Sequence, residues 1–315
     1  MVPDLSIIFM AVSALLSFGA PIALFLVWRK KYQLKLAPLL FGAAAFIVFA
    51  MVLEQLLHMV VLHPNADGSI ALAQSNPLLY MLYGIFAAGI FEETARFLSF
   101  KILKRKFSGI GTGLSYGIGH GGIEAIMLVG LTMIGSILLS ISINSGNTAL
   151  IASDPAIMDQ IEAQVEAIAG IEPMLFLISG IERIIAIAVH ISLSMLMWRA
   201  ASAKGKLWLY PVSIVLHAIV NIAPVMYQTN ILKNILLVEG LIIIPTILIA
   251  IASYNVCKKM QQEAANEAIT TNNEEAKITN EATTPEKEIA SSDEDAAPNE
   301  EAAAANEEAT ATENK

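Results

Sequence analysis

Long apolar stretches, separated by short polar ones, make up most of this chain. They cover residues 5–28, 37–61, 78–100, 110–143, 173–198, 207–227 and 231–254. A helix rises roughly 1.5 Å per residue, so about 20 apolar residues cross a hydrocarbon core of about 30 Å. Seven transmembrane helices are therefore predicted, in an all-α polytopic membrane bundle. The fourth run is longer than one crossing needs, so tilt, a break near Gly130 or an extension beyond the bilayer is expected. The first run exceeds a signal-peptide core, lacks a small-residue cleavage site and is followed by RKKYQLK, so it reads as a retained helix. Between runs four and five, DPAIMDQIEAQVEAIAG has apolar residues at helical spacing, with Asp154 as a cap and Pro155 at the first helical position. It reads as an amphipathic surface helix more readily than as a lid.

Composition agrees with this pattern and then divides the chain. Of 315 residues 56% are hydrophobic and 15% charged, more apolar than a soluble domain. From Gln261 onward, 15 acidic residues face 3 basic ones, so the tail carries −12 and the rest +3, and the whole-chain net charge of −9 comes from the tail alone. The tail is rich in Glu, Ala, Asn and Thr and has too little apolar surface to order itself. Residues 1–257 are thus expected to form the membrane domain and 258–315 a disordered acidic tail. Cys257 is the only cysteine, which excludes an intrachain disulfide.

The basic residues alternate between loops. Arg29–Lys35, Lys101–Lys106, Arg199–Lys206 and Lys258–Lys259 all fall on one side of a seven-span chain. Lys233 and an acidic loop occupy the other. The positive-inside rule then predicts an N-terminus outside and a cytoplasmic tail, and the chain is expected to be an integral protein of the bacterial cell membrane. The basic residues suit lipid headgroups, so no nucleic-acid role is expected.

Ionisable residues inside the spans are costly, about 2.5–3.5 kcal/mol each on insertion scales, and so point to function. The third run carries GIFEETARF, where Arg96 can reach both Glu92 and Glu93. The fourth carries Tyr116, His120 and Glu124 on one face, beside a small-residue ridge of Gly109, Gly113, Gly117 and Gly121 that favours close helix packing. The fifth carries Glu182, Arg183 and His190, and the sixth His217 and Asn221 at i, i+4. Counted from the basic belt, Glu93, His120, His190 and His217 all lie about 12–21 Å deep. Side chains from four helices at a common depth predict one convergent site. Glu54, His58 and Glu239 do not fit that level, and read equally as structural pairings or as aids to substrate access.

A buried cluster of this kind can hydrolyse an amide. A glutamate takes the proton of an attacking water, and a histidine–asparagine pair stabilises the oxyanion. His120, His190 and His217 with the carboxylates also match the ligand types of Zn2+, although a metal-free site suits them equally. The series Glu92-Glu93-x-x-Arg96, GIGHGGIEA, Arg183…His190 and His217-x-x-x-Asn221 resembles the superfamily of CAAX-type prenyl endopeptidases, bacteriocin-processing proteases and PrsW proteases. Within it the chain most resembles the YhfC family of intramembrane metalloproteases, over about residues 5–254. The resemblance implies an intramembrane endopeptidase acting on a membrane protein or peptide substrate. It implies Glu92 as the water-activating residue with Glu93 beside it, and Arg96 as the basic residue closing that motif. Glu124 matches the glutamate of PrsW-like proteins, His190 the penultimate motif, and His217 with Asn221 the oxyanion partners. The Glu-to-Arg spacing is one residue shorter than in CAAX-type enzymes, and His120 stands where relatives tend to have an aromatic residue. Two other classes compete: a proton-coupled membrane transporter, since Glu/His chains also relay protons, and a non-catalytic binding or immunity protein. No internal repeat of the transporter kind is visible.

Overall fold

A computed structural model of the chain describes residues 1–65, 68–146 and 155–282. Their regular structure is helical, apart from one isolated antiparallel bridge between Pro64 and Ile70. Seven helices are long and apolar enough to cross a membrane, and each corresponds to one of the seven apolar runs. The first is α1 (Asp4–Tyr32). The second combines α2 (Leu36–Phe46), a π-helical segment (Ile47–Glu54) and α3 (Gln55–Leu62). After the short α4 (Ala71–Ser75) comes the third, α5 (Pro77–Leu103), which starts with Asn76 capping the Leu79 N–H and Pro77 in its first turn. The fourth is α6 (Ile110–Ala125), a π-helical turn (Ile126–Gly130) and α7 (Leu131–Asn144). The irregularity expected near Gly130 is thus a change of helical pitch. The amphipathic α8 (Pro155–Ala169) precedes α9 (Pro173–Ser202), α10 (Leu209–Gln228) and α11 (Ile235–Ala282).

Two compact units divide the chain at Glu267/Ala268. The tail expected to be disordered from residue 258 is helical as far as Ala282, because its Glu/Ala-rich sequence is made of good helix formers. Residues 283–315, and Asp154 with its expected cap, lie outside the described residues.

Within Met1–Glu267, α6 is the central helix, buried along nearly its whole length. Its glycines explain how. A Cβ on Gly117 would lie 2.6 Å from Ile191 Cα, and one on Gly121 3.0 Å from Ile187 Cα, so α9 presses directly on the α6 backbone. The opposite side is equally bare: a Cβ on Gly119 would run into the Leu39 carbonyl, and one on Gly111 into the Tyr32 carbonyl. The sequence ridge therefore has a second, unforeseen face toward α1 and α2. Gly109 is not part of the packing ridge; it precedes α6 with φ +74°, a conformation that favours glycine.

The two ends of the bundle differ in chemistry. At one, Asn144 exchanges hydrogen bonds with Val2 (Val2 N to Oδ1 2.9 Å, Nδ2 to Val2 O 2.8 Å), and α8 buries Ile161 and Val165 among Val2, Met10 and Phe176. The amphipathic helix thus rests its apolar face on protein. At the other end Lys31, Lys35, Lys106 and Arg199 surround one cavity, and Arg199 donates twice to the Glu263 carboxylate (2.5 and 2.8 Å).

Candidate active site

Helix α5 brings Glu92, Glu93 and Arg96 to the middle of the bundle, all three buried. Adjacent residues on a helix point about 100° apart, so the two carboxylates face different neighbours. Glu93 turns inward. Its Oε1 is ion-paired with Arg96 one turn later and accepts a hydrogen bond from His217 Nδ1 at 3.0 Å. Glu92 turns to a cavity and meets His120 Nε2 at 2.9 Å across from α6.

His190 of α9 links the two halves. A guanidinium can only donate, so Arg96 Nη2 donates to His190 Nδ1 (2.9 Å), which leaves the ring proton on Nε2. That nitrogen points at Glu124 Oε2, 2.5 Å away, though without the angle of a hydrogen bond. His190 Nδ1 is also 3.6 Å from Glu92 Oε2. Arg183 secures the far side: it donates to Glu124 Oε1 at 2.8 Å and to Glu182 Oε1 at 2.7 Å. The adjacent pair Glu182–Arg183 is therefore tied to α6. The imidazoles follow one another, His120 and His190 tilted by 35° with ring centres 4.9 Å apart, and His190 and His217 edge to face at 77° with ring centres 5.7 Å apart. Phe46 and Tyr116 wall in His120 on its other sides.

All seven residues expected in the catalytic set are brought together by α5, α6, α9 and α10. Five of them, Glu92, Glu124, His190, His217 and Asn221, line one cavity of about 530 Å³. Glu93 and Arg96 stand behind it. The cavity also takes in Glu54, His58, Tyr83 and Glu182, so the pair assigned to another level shares the same space; Glu239 does not line it. Tyr83 and Phe46 carried no sequence signal, being ordinary aromatic residues of apolar helices.

The donor atoms of Glu92, His120 and His190 all lie within 4.8 Å of one another, a grouping that could hold a metal ion. Ligand bonds of about 2.0–2.2 Å in tetrahedral geometry place donors roughly 3.3 Å apart. The separations of 2.9 and 3.6 Å from Glu92 Oε2 bracket that figure, so donor type and spacing fit. Two features oppose occupancy: Arg96 already uses His190 Nδ1, and buried His120 Nδ1 has no hydrogen-bond partner among the described residues to orient the ring. His217, grouped with the other histidines as a metal ligand from sequence, is engaged instead with Glu93.

A family model described as YhfC intramembrane metalloprotease matches residues 12–242. A protein of Bacillus subtilis (strain 168) described as "Uncharacterized membrane protein YhfC" is 35% identical over 258 residues, covering 82% of this chain and 98% of that protein. No solved structure matches.

Proposed function

Since this integral membrane chain belongs to the YhfC intramembrane metalloprotease family, we propose that it is an endopeptidase that hydrolyses a peptide bond in or beside the bilayer. The observation that carries the reading is the buried Glu92 carboxylate, bonded to His120 and opening onto a cavity whose lining includes His217 and Asn221. Glu92 takes a proton from a water as its oxygen attacks the substrate carbonyl carbon. The carbonyl electrons move to oxygen, where the Asn221 amide donates a hydrogen bond and His217, carried as the imidazolium with its Nδ1–H on the Glu93 carboxylate, donates a second from Nε2. Collapse re-forms the carbonyl, breaks the C–N bond and returns the proton from Glu92 to the leaving nitrogen. Glu93 and Arg96 are positioning residues, since they hold the His217 and His190 rings from behind.

A divalent ion bound by Glu92, His120 and His190, zinc by its usual ligands, would supply Lewis acidity at the same place. The basic end of the bundle is taken as cytoplasmic, with the N-terminus outside. The test is cleavage of a membrane peptide by the purified protein. Glu92→Gln should lower kcat by about a hundredfold to ten-thousandfold while elution and thermal unfolding stay those of the parent. A variant that cleaves normally refutes the role of Glu92. An active protein that resists metal removal refutes the ion.

A further inference from the structure

The cavity has a second polar station that the hydrolytic cluster does not use. It is built by the second span, where the π-helical segment Ile47–Glu54 ends on Glu54. Such segments are rare and frequently sit at functional sites; their wider i→i+5 turn re-aims the side chains that follow. Here Glu54 and, one turn later, His58 line the same cavity as Glu92. His58 Nδ1 shares a hydrogen bond of 2.6 Å with the Tyr83 hydroxyl, and its Nε2 is 3.5 Å from Glu54 Oε1.

The charges around this cavity are unevenly matched. Arg183, the one lysine or arginine among the described residues that line it, is divided between Glu124 and Glu182. Glu92 has three histidines around it. Glu54 is 6% exposed, and among the described residues no lysine or arginine pairs with it. A buried carboxylate without a permanent cation is costly, and a cationic ligand removes much of that cost. The Tyr80 and Tyr83 rings, also in the lining, are suited to the face of an alkylammonium or guanidinium group.

We propose that Glu54, with Tyr83 and His58, is a substrate subsite for a basic side chain, so that the preferred substrate is an apolar membrane segment carrying a lysine or arginine near the scissile bond. This rests on the endopeptidase reading, and it puts cation recognition, led by the Glu54 carboxylate of the second span, and bond cleavage, by the Glu92 carboxylate of α5, in one cavity. The binding energy is available before chemistry, so it can be measured without turnover.

The experiment uses an apolar peptide of about 20 residues with one lysine, and a twin with norleucine in its place. Both are titrated into full-length Glu92→Gln protein in detergent, with binding read by fluorescence anisotropy. The lysine peptide should bind about tenfold more tightly, and adding Glu54→Gln should abolish the difference. Decylammonium should displace the lysine peptide where decanol does not, a result that needs no second substitution. Equal binding of the twins, a preference that survives Glu54→Gln, or equal displacement by both amphiphiles overturns the subsite. Wild-type cleavage of the twins is followed in parallel. Selective binding without cleavage sinks the endopeptidase reading and spares the subsite, whereas cleavage of both twins at equal kcat/KM with equal binding does the reverse.

Discussion

Arg96 is the residue whose placement has most consequence for the chemistry. Its guanidinium is buried and always a donor, and it spans Glu93 and His190. In doing so it takes the lone pair that His190 Nδ1 would give to a metal. Arg96→Gln should therefore raise zinc affinity about tenfold, measured by competition with a chromophoric chelator. A Glu92→Gln/Arg96→Gln pair should lose that gain, since Glu92 belongs to the same donor set. Unchanged or weakened zinc binding in Arg96→Gln would show that Arg96 does not compete with the ion. Glu93 offers a separate test. Glu93→Gln keeps an acceptor for His217 but leaves Arg96 without its counter-charge, so it should cost more than Asn221→Ala in thermal stability. The asymmetry follows because breaking a buried ion pair leaves an uncompensated charge, at about 3–5 kcal/mol.

At the scale of the element, α6 determines how close the site can assemble. Membrane helices have no hydrophobic drive toward one another, so close packing of bare backbone does the work. Gly117 and Gly119 lie back to back on this helix, one against α9 and the other against α2. Gly117→Val should push α9 away together with His190. Gly119→Val should push α2 away together with Phe46, which packs on His120. Each should destabilise the detergent-solubilised protein by about 1–3 kcal/mol, seen as a lower unfolding temperature. Gly135→Val on α7 is the control: none of the described residues lies within 4 Å of its Cβ position, so it should be neutral. Equal effects at all three positions would mean that helix propensity, and not helix contact, sets the cost.

For the whole molecule, the segregation of charge makes a topological prediction. Lys106 stands at the basic end, whereas Asn144 is bonded to Val2 at the other. In a Cys257→Ser background, Ser145→Cys should react with a membrane-impermeant maleimide on intact cells, and Lys106→Cys only after lysis. The reverse pattern would invert the orientation. The cluster is built from α5, α6, α9 and α10, so a chain ending at Ala282 should keep the unfolding temperature of the full chain.

The chain's local pattern was enough to give the number of spans, their approximate limits and the ionisable residues of α5, α6, α9 and α10 that meet in the bundle. Both signals are local: an apolar run must satisfy its own backbone as a helix in lipid, and an ionisable residue inside it is conspicuous because lipid cannot solvate it. It did not determine who pairs with whom. That His217 serves Glu93, that His190 is shared by Arg96 and Glu124, and that Glu92, not His217, joins His120 and His190 depend on how α5, α9 and α10 are rotated about α6. Rotation is set by packing between distant segments, through glycine faces that no single helix reveals. The same holds for Glu54 and His58. Their distance from the basic belt sets them apart along the bundle axis, but a π-helical segment and a shared cavity bring them beside Glu92 and His217.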